Sequence, residues 1–291
     1  MQHLAGKSVI ITGAGRGIGA ACARLLGRSG AKVVVNDVDP GAAEEVAAEV
    51  RANGGIAIAE VADITSYDAV GSMVARCVRE FGSLDGLVNN AGLIILDLIN
   101  EVKEDDLRRM VEVNVIGLSF CAMHASRQMI AQKSGSIVNV SSGAHTGAPT
   151  MSVYAAAKGA VATYTYSWAM ELEQYGIRVN GLLPMADSRM RGITDGWRAS
   201  KGLAPHPAAI VSADSNAPVV EFLLSDAARG VNGQLVKVTG SQLALMTHPA
   251  QLHPVLERPS WDFDAIDAVF RTEFAGKLQP LGTATLDVRV L

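Results

Sequence analysis

Cysteine is scarce in this chain. Its 291 residues include only Cys22, Cys77 and Cys121, which lie far apart in the sequence. An odd number without a CxxC pair excludes a disulfide framework and a cysteine-rich zinc site. We therefore expect three small buried side chains in a reducing compartment, the cytoplasm. The histidines lack a metal-ligand spacing such as HExxH, so we predict no catalytic metal.

An excess of basic residues and long apolar runs are absent as well. The net charge is -4 and the pI is about 5.9, with no basic stripe, which argues against a nucleic-acid partner. No apolar stretch approaches the ~18 residues of a membrane span. The N-terminal segment MQHLAGKSVIITG lacks the basic start and apolar core of a signal peptide. We expect a cytoplasmic protein with a small-molecule substrate.

The chain does contain a regular alternation of two kinds of segment. Seven short runs rich in Val and Ile alternate with longer, alanine-rich amphipathic stretches, a pattern that predicts a parallel sheet covered by helices on both faces. Continuous apolar runs are typical of strands buried on both sides. The fold class is therefore α/β, a doubly wound Rossmann fold with a seven-stranded parallel sheet. The predicted strands are residues 8–13, 32–37, 56–63, 84–90, 136–142, 177–184 and 234–240; the predicted helices are residues 17–29, 41–53, 66–81, 103–133, 151–175 and 216–225.

Two segments interrupt this alternation. Residues 185–215 follow a strand end and are long for a loop, as active-site lids often are. Residues 241–291 follow the last predicted strand and form a proline-containing extension with room for one short helix. We predict a dinucleotide-binding and catalytic domain over residues 1–240, with residues 185–215 as a substrate lid, and a C-terminal extension over residues 241–291.

A glycine-rich turn, TGAGRGIG, joins the first strand to the first helix. Glycines let the backbone turn tightly and approach a ligand, and a helix N-terminus offers unpaired N–H groups to a phosphate. In this position the turn indicates a pyrophosphate site; the alternative is a tight turn without a ligand. The residues concerned are Gly13, Arg16, Gly17, Ile18 and Gly19.

Asp37 ends the second strand, where an acidic group accepts the ribose hydroxyls of adenosine. A carboxylate there repels a 2′-phosphate, so it favours NAD over NADP. Arg16 argues for NADP, because a guanidinium pairs with a 2′-phosphate. We give Asp37 more weight. Asp37 could also, with Asp39, cap the following helix.

Tyr154 and Lys158 lie four residues apart in an alanine-rich stretch, MSVYAAAKGA, which places them on one helix face. An adjacent ammonium favours the phenolate and lowers the pKa of a phenol towards values useful for proton transfer. Taken alone, such a pair is more often a surface contact. Its neighbours in the sequence decide between the two.

These features together resemble the short-chain dehydrogenases/reductases in their single-domain form. TGAGRGIG is similar to the family's glycine motif, Asn89 to Gly92 match its NNAG signature, and Tyr154 with Lys158 match its YxxxK motif. The resemblance covers residues 6 to 240. It assigns cofactor contacts to Asp63, Ile64, Asn90, Ala91, Gly92, Tyr154, Lys158, Pro184 and Ser188.

The resemblance also implies a catalytic group. Asn114 matches the family's helix asparagine, and the serine before Tyr154 is either Ser141 or Ser142, of which we choose Ser142. In such enzymes a hydride passes between a nicotinamide and a carbinol carbon while the tyrosine moves the proton. The serine polarises the substrate oxygen, the lysine binds the nicotinamide ribose, and the asparagine holds a water of a proton relay. Family members commonly form dimers or homotetramers through the two long helices.

The substrate is the least defined element of the sequence. The lid segment carries Met185, Met190 and Trp197, which suit an apolar pocket, and His145 lies near the same place. We predict an apolar secondary alcohol or ketone. The lid's four basic residues leave a 3-hydroxyacyl or 3-oxoacyl thioester as the alternative, and a non-catalytic dinucleotide sensor as a third possibility.

Overall fold

The computed structural model describes residues 2–186, 189–204, 211–252 and 254–278. The chain divides into two compact units, Met1–Met246 and Thr247–Leu291; the boundary predicted from the sequence lies at residue 240. Ser188, a predicted cofactor contact, lies outside the described residues.

One sheet runs through the first unit. Its strands are β1 (Ser8–Ile11), β2 (Lys32–Asp37), β3 (Ile56–Val61), β4 (Gly86–Asn89), β5 (Gly135–Val140), β6 (Ile177–Pro184), β7 (Leu235–Thr239) and β8 (Gln242–Leu245), in the spatial order β3-β2-β1-β4-β5-β6-β7-β8. The first seven are mutually parallel, which confirms the doubly wound fold. β8 is an antiparallel edge strand that the sequence did not predict. It forms because Gly240, with φ at +66°, turns the chain back along β7.

Helices cover both faces of this sheet. The helices of the first unit include α1 (Gly17–Arg28), α2 (Pro40–Ala52), α3 (Tyr67–Phe81), α4 (Glu104–Val111), α5 (Leu118–Gln132), α6 (Ser152–Leu172), α7 (Arg189–Ser200) and α8 (Ala217–Leu224). A further helix, α9 (Phe263–Arg271), belongs to the second unit. Alternate strand residues enter different cores, as the two-residue period of a strand requires. Val9 and Ile11 pack with α1, α2 and α8, whereas Ile10 packs with α3, α5 and α6. Within the described residues no helix is both long and apolar enough to cross a membrane.

The long helix predicted over residues 103–133 is continuous but not uniform. A π-helical turn, Glu112–Gly117, separates α4 from α5 and contains Asn114. Such turns are rare in proteins, and those that occur often lie at functional sites. The segment predicted as a long loop over residues 185–215 instead contains helix α7.

The strand order reverses between β2 and β4, which lie on opposite sides of β1. In open parallel sheets, ligands bind in the crevice at the carboxyl ends of the strands beside such a reversal. The fold therefore brings the ends of β1, β2, β4 and β5 together at one edge, and the sequence motifs follow these ends.

Candidate active site

The glycine turn after β1 is packed too closely for side chains. A Cβ at Gly13 would lie 2.8 Å from Ala91 Cα, and one at Gly19 would lie 2.5 Å from the Gly13 carbonyl oxygen. Helix α1 begins at Gly17 with no side chain capping its first turn and no acidic residue in it. Its free N–H groups and the dipole of the helix suit an anion, so the turn fits a dinucleotide pyrophosphate.

Asn90, which directly follows the neighbouring strand β4, fixes the conformation of this turn. Its amide nitrogen donates to the carbonyl oxygens of Thr12 and Gly13, each at 2.9 Å. The Thr12 hydroxyl in turn accepts from the backbone N–H groups of Asn90 and Ala91 at 3.1 Å. The amide nitrogen of Asn90 is therefore engaged by backbone carbonyls, and Asn90 acts by fixing the conformation of the glycine turn.

The carboxylate of Asp37 faces the glycine turn from the end of β2. Its two oxygens accept from the N–H groups of Gly15 at 3.0 Å and Asp39 at 3.1 Å. A Cβ at Gly15 would lie 2.8 Å from that carboxylate. Asp39, not Asp37, caps α2, since its side chain accepts from Ala42 N. Arg16 pairs with Asp39, Nη2 to Oδ2 at 2.6 Å.

Asp63 and Ile64 follow β3 on the same edge. Asp63 is exposed, and one of its oxygens accepts from the backbone and the hydroxyl of Thr65 at 2.9 and 2.8 Å. Ile64 is buried against Gly117 of the π turn, where a Cβ would lie 2.8 Å from it. This loop is thereby tied to the segment that holds Asn114.

Tyr154 and Lys158 project from α6 into a buried region. Tyr154 is 7% exposed and Lys158 is 3% exposed, and the ammonium lies 5.9 Å from the centre of the phenol ring. Burial lowers the pKa of Lys158 to about 8, and its Nζ donates to the Val140 carbonyl at 2.7 Å. The pair is therefore an interior one, unlike the surface contact that its spacing alone suggests.

The pKa of Tyr154 differs from the sequence-based expectation. Burial raises the pKa of this phenol above its ordinary value, and a hydrogen bond with the Ser142 side chain opposes the rise. The lowering expected from Lys158 is therefore not observed: desolvation of the ring sets the direction, and the opposing contribution comes from Ser142.

The structure separates the two candidate serines. The Ser141 hydroxyl is buried and donates to the Lys158 carbonyl at 2.9 Å, so it ties β5 to α6. The Ser142 hydroxyl accepts from Ala144 N at 3.2 Å and also forms a hydrogen bond with the Tyr154 side chain. Only Ser142 is thus beside the phenol.

Asn114 is fully buried, and its side chain is committed to the protein. Its amide oxygen accepts from Leu93 N at 2.9 Å, and its amide nitrogen donates to Leu93 O at 2.8 Å and to Met110 Sδ at 3.0 Å. Between Asn114 and Lys158 lies Gly92, where a Cβ would be 3.1 Å from the Asn114 oxygen and 3.5 Å from Nζ of Lys158. Gly92 therefore lies against both side chains, and its neighbour Ala91 contacts Gly13 of the glycine turn.

The four predicted substrate contacts lie in three places. Met190 and Trp197 of α7 pack against the apolar cluster that includes Tyr154, Ile94 and Leu96. Met185 lies at the end of β6 after Pro184, and its backbone bonds to Val238 and Asn216. His145 donates from Nδ1 to the Ser142 carbonyl at 2.7 Å, so one ring nitrogen is already used.

The basic side chains described in the lid segment have partners. Arg191 lies 3.6 Å from Asp195, Lys201 lies 2.9 Å from Glu101, and Arg198 donates to the Ala204 carbonyl. This arrangement favours a salt-bridged protein surface over a site that binds an anionic group of the substrate.

Sequence reasoning missed Met110, Gly15 and Thr150. Met110 lies four residues before Asn114, so the helical spacing indicates that the two side chains are neighbours. It does not indicate that the Met110 sulfur accepts a hydrogen bond from Asn114. Thr150 has φ at +64° and its carbonyl accepts from Asp97 N, which closes the apolar cluster at the start of α6. Nothing in the sequence indicates this conformation, since threonine rarely adopts it.

Known proteins resemble this chain closely. The short chain dehydrogenase family model matches residues 7–194. Cis-4-hydroxycyclohexanecarboxylate dehydrogenase of Sinomonas cyclohexanicum is 39% identical over 84% of this chain and 99% of that protein. A 3-oxoacyl-[acyl-carrier-protein] reductase of Staphylococcus aureus is 37% identical over 80% of this chain and 97% of that protein.

Solved structures agree. A short chain dehydrogenase from Mycobacterium avium superposes with a TM-score of 0.83 at 29% identity, covering 98% of this chain and 99% of that one. NAD+-bound xylitol dehydrogenase gives a TM-score of 0.78 at 32% identity, covering 82% of this chain and 99% of that one. The family match extends over more than half of the chain and coincides with the crevice described above. The chain belongs to the short-chain dehydrogenase family and is an oxidoreductase that acts on CH–OH groups with a nicotinamide dinucleotide.

Proposed function

We propose that this protein interconverts a secondary alcohol and its ketone, with Tyr154 as the group that transfers the proton. The observation that carries the proposal is the convergence of Ser142, Tyr154 and Lys158 at the ends of β4 and β5. Gly92 lies against Lys158 and Asn114, and its neighbour Ala91 touches the phosphate loop. Proton-transfer groups and a dinucleotide cradle therefore share one crevice.

Ser142 and Tyr154 act on the substrate oxygen. The Ser142 hydroxyl hydrogen-bonds to the phenol here, and when substrate binds it would donate to the substrate oxygen instead and hold that oxygen against Tyr154. In oxidation Tyr154 accepts the hydroxyl proton, and in reduction it returns it. A phenol whose pKa is raised by burial stays protonated at neutral pH, which suits the reductive direction.

Lys158 supplies the opposing charge. Its buried ammonium would stabilise the phenolate when Tyr154 loses its proton, and the family resemblance implies that it would also bind the nicotinamide ribose. Asn114 positions this region through Leu93, since its amide is engaged there. The family resemblance assigns a relay water to Asn114; that water would need a contact other than the side-chain amide, which bonds to Leu93 and Met110.

The bound nicotinamide supplies a hydride acceptor or donor for the carbinol carbon. Gly13, Gly17, Ile18 and Gly19 would hold the pyrophosphate, and Asp63 and Ile64 would hold the adenine. Asn90 to Gly92 and Pro184 would line the rest of the cofactor site. Ser188 is assigned the carboxamide by resemblance alone. We propose NAD over NADP, because the Asp37 carboxylate is oriented by two backbone N–H groups at the ribose end and repels a 2′-phosphate.

The proposed substrate is an apolar secondary alcohol or ketone. The walls near Tyr154 are apolar, with Ile94, Leu96, Met190 and Trp197 in one cluster. The partnered lid cations support a substrate without a large anionic handle. Similarity to the acyl-carrier-protein reductase favours a 3-oxoacyl thioester as the second candidate.

A substrate panel tests this proposal. Apolar secondary alcohols and 3-hydroxyacyl thioesters are each assayed with NAD and with NADP, read by the absorbance of reduced nicotinamide. The proposal predicts turnover of the simple alcohols with NAD. Turnover of thioesters alone would establish the second candidate, preference for NADP would refute the role of Asp37, and cofactor binding without any turnover would indicate a dinucleotide sensor.

A matched pair of serine variants tests the site. Ser142→Ala removes the hydroxyl beside the phenol and should lower turnover by roughly a hundredfold. Ser141→Ala removes a hydroxyl that donates to the Lys158 carbonyl, and it should chiefly lower stability. Equal losses of turnover in the two variants would contradict the assignment.

We also propose that the protein is a homo-oligomer, a dimer or a homotetramer. An apolar groove of about 340 Å³ runs between α4, the π turn and α6, lined by Ile99, Leu107, Val111, Val115, Ser152, Val153, Ala156 and Ala157. Small side chains on α6 let a helix of a second copy approach closely. Ala156→Arg should lower the mass measured by sedimentation; an unchanged mass would argue against this interface. The cytoplasmic location stays a prediction.

A further inference from the structure

Arg16 and Asp39 form an ion pair at the ribose end of the cofactor crevice. Arg16 follows Gly15 in the phosphate loop, and Asp39 lies two residues beyond Asp37. The guanidinium Nη2 lies 2.6 Å from Asp39 Oδ2. The side chains are 57% and 41% exposed, so the pair is at the surface and can exchange partners.

Asp39 is itself held in place. Its other oxygen, Oδ1, accepts from Ala42 N at 3.1 Å and caps α2, while its backbone N–H donates to Asp37 at 3.1 Å. One carboxylate oxygen is thus fixed by the helix and the other faces Arg16. The carboxylate that pairs with Arg16 is therefore held in position by these hydrogen bonds.

A guanidinium is the side chain best suited to a 2′-phosphate, because its N–H groups match phosphate oxygens in pairs. Arg16 is the cation of the phosphate loop, and its charge is engaged by Asp39. Resting on the cofactor preference proposed above, we infer that Asp39 is a second specificity-determining residue: it holds the Arg16 guanidinium and so keeps it from a 2′-phosphate. Discrimination then has two parts, repulsion by Asp37 and engagement of Arg16 by Asp39.

The test removes the carboxylate and keeps the helix cap. Asp39→Ser retains a cap for Ala42 N but cannot reach Arg16, and Asp39→Asn is a second variant that also caps. The probes are adenosine 2′,5′-bisphosphate and 5′-AMP, measured by titration calorimetry at low ionic strength. They report the adenosine half alone, without turnover. Both variants should bind the bisphosphate about tenfold more tightly and bind 5′-AMP within about twofold of the parent protein.

Two controls separate the pair from general charge. Glu44→Gln removes one negative charge from the same helix, where Glu44 pairs with Arg51, and should leave the bisphosphate affinity unchanged. Adding Arg16→Met to Asp39→Ser should abolish the gain.

The outcomes are distinct. An unchanged bisphosphate affinity in both Asp39 variants, with 5′-AMP still bound, would overturn the inference and leave the proposed function standing. A gain that persists without Arg16, or that Glu44→Gln reproduces, would overturn it as well. Failure of the parent protein to bind 5′-AMP would overturn the proposed function, and the inference with it.

Discussion

The buried ammonium of Lys158 leads to a prediction that needs no substrate. The side chain is 3% exposed, and the ion pairs of the described residues include no carboxylate partner for it. Burial lowers its pKa from 10.5 to about 8. Lys158→Met replaces it with an unbranched side chain that does not titrate and that adapts to the cavity. The two proteins should therefore differ in how their stability depends on pH.

The sign follows from proton counting. In the unfolded chain Lys158 keeps its proton up to its ordinary pKa, whereas in the folded protein it loses it near the lowered value. Between those values the unfolded state binds more protons, so the free energy of unfolding of the parent protein rises with pH. Below that window both states are protonated and the parent carries the full cost of the buried charge, about 3 kcal/mol. The variant carries none.

The magnitude is measurable. Between about pH 7 and about pH 9.5, the free energy of unfolding of the parent protein should rise by about 2 kcal/mol relative to that of Lys158→Met. The lost hydrogen bond to Val140 costs about 1 kcal/mol at every pH, so it shifts the difference without changing its slope. Burial raises the pKa of Cys22, Cys77 and Cys121 to about 12, but it does so in both proteins and cancels.

Urea unfolding of both proteins, followed by far-ultraviolet circular dichroism at several pH values, gives the difference directly. Staying below about pH 9.5 keeps Tyr154 mostly protonated in both states, because a free phenol has a pKa near 10 and burial raises the pKa of Tyr154 in the folded protein. A difference that stays constant within about 0.5 kcal/mol across the window would refute the reasoning, because Lys158 would then titrate as an exposed lysine does.

Three further predictions concern single positions. Gly92→Ala places a Cβ 3.1 Å from the Asn114 oxygen, so turnover should fall about tenfold while the circular dichroism spectrum is retained; unchanged turnover would contradict the tight contact. Met110→Leu keeps the volume but leaves the Asn114 N–H without its sulfur acceptor, and should cost about 1 kcal/mol more in urea unfolding than the control Met73→Leu; equal costs would dismiss the sulfur contact. Lys133→Gly relieves a left-handed residue at the end of α5, where φ is +57°, and should raise the free energy of unfolding by about 1 kcal/mol; a loss would refute the strain.

Much of the fold could be predicted because its signals are local. The Val and Ile runs, bounded by Gly and Pro, carry the seven parallel strands, and the observed strand Lys32–Asp37 begins and ends as predicted. The glycine turn and the tyrosine–lysine spacing are likewise encoded in short stretches. Each can be recognised before any tertiary contact is known.

The missed features depend on contacts between distant segments. β8 is a four-residue strand, Gln242–Leu245, whose side chains are all exposed, and it exists because the edge of β7 accepts its backbone. The π turn around Asn114 coincides with a clamp to Leu93, 21 residues earlier. The pairing of Arg16 with Asp39 spans 23 residues, and no local pattern indicates it.

The central claim is that the Tyr154 hydroxyl moves the proton of the reaction, and turnover by Tyr154→Phe tests it most directly. The variant keeps the ring that packs in the apolar cluster and removes only the hydroxyl. With NADH binding followed by fluorescence as the control, the account predicts unchanged binding and a loss of turnover of at least about a hundredfold. Turnover within about threefold of the parent protein, at equal NADH affinity, would contradict it.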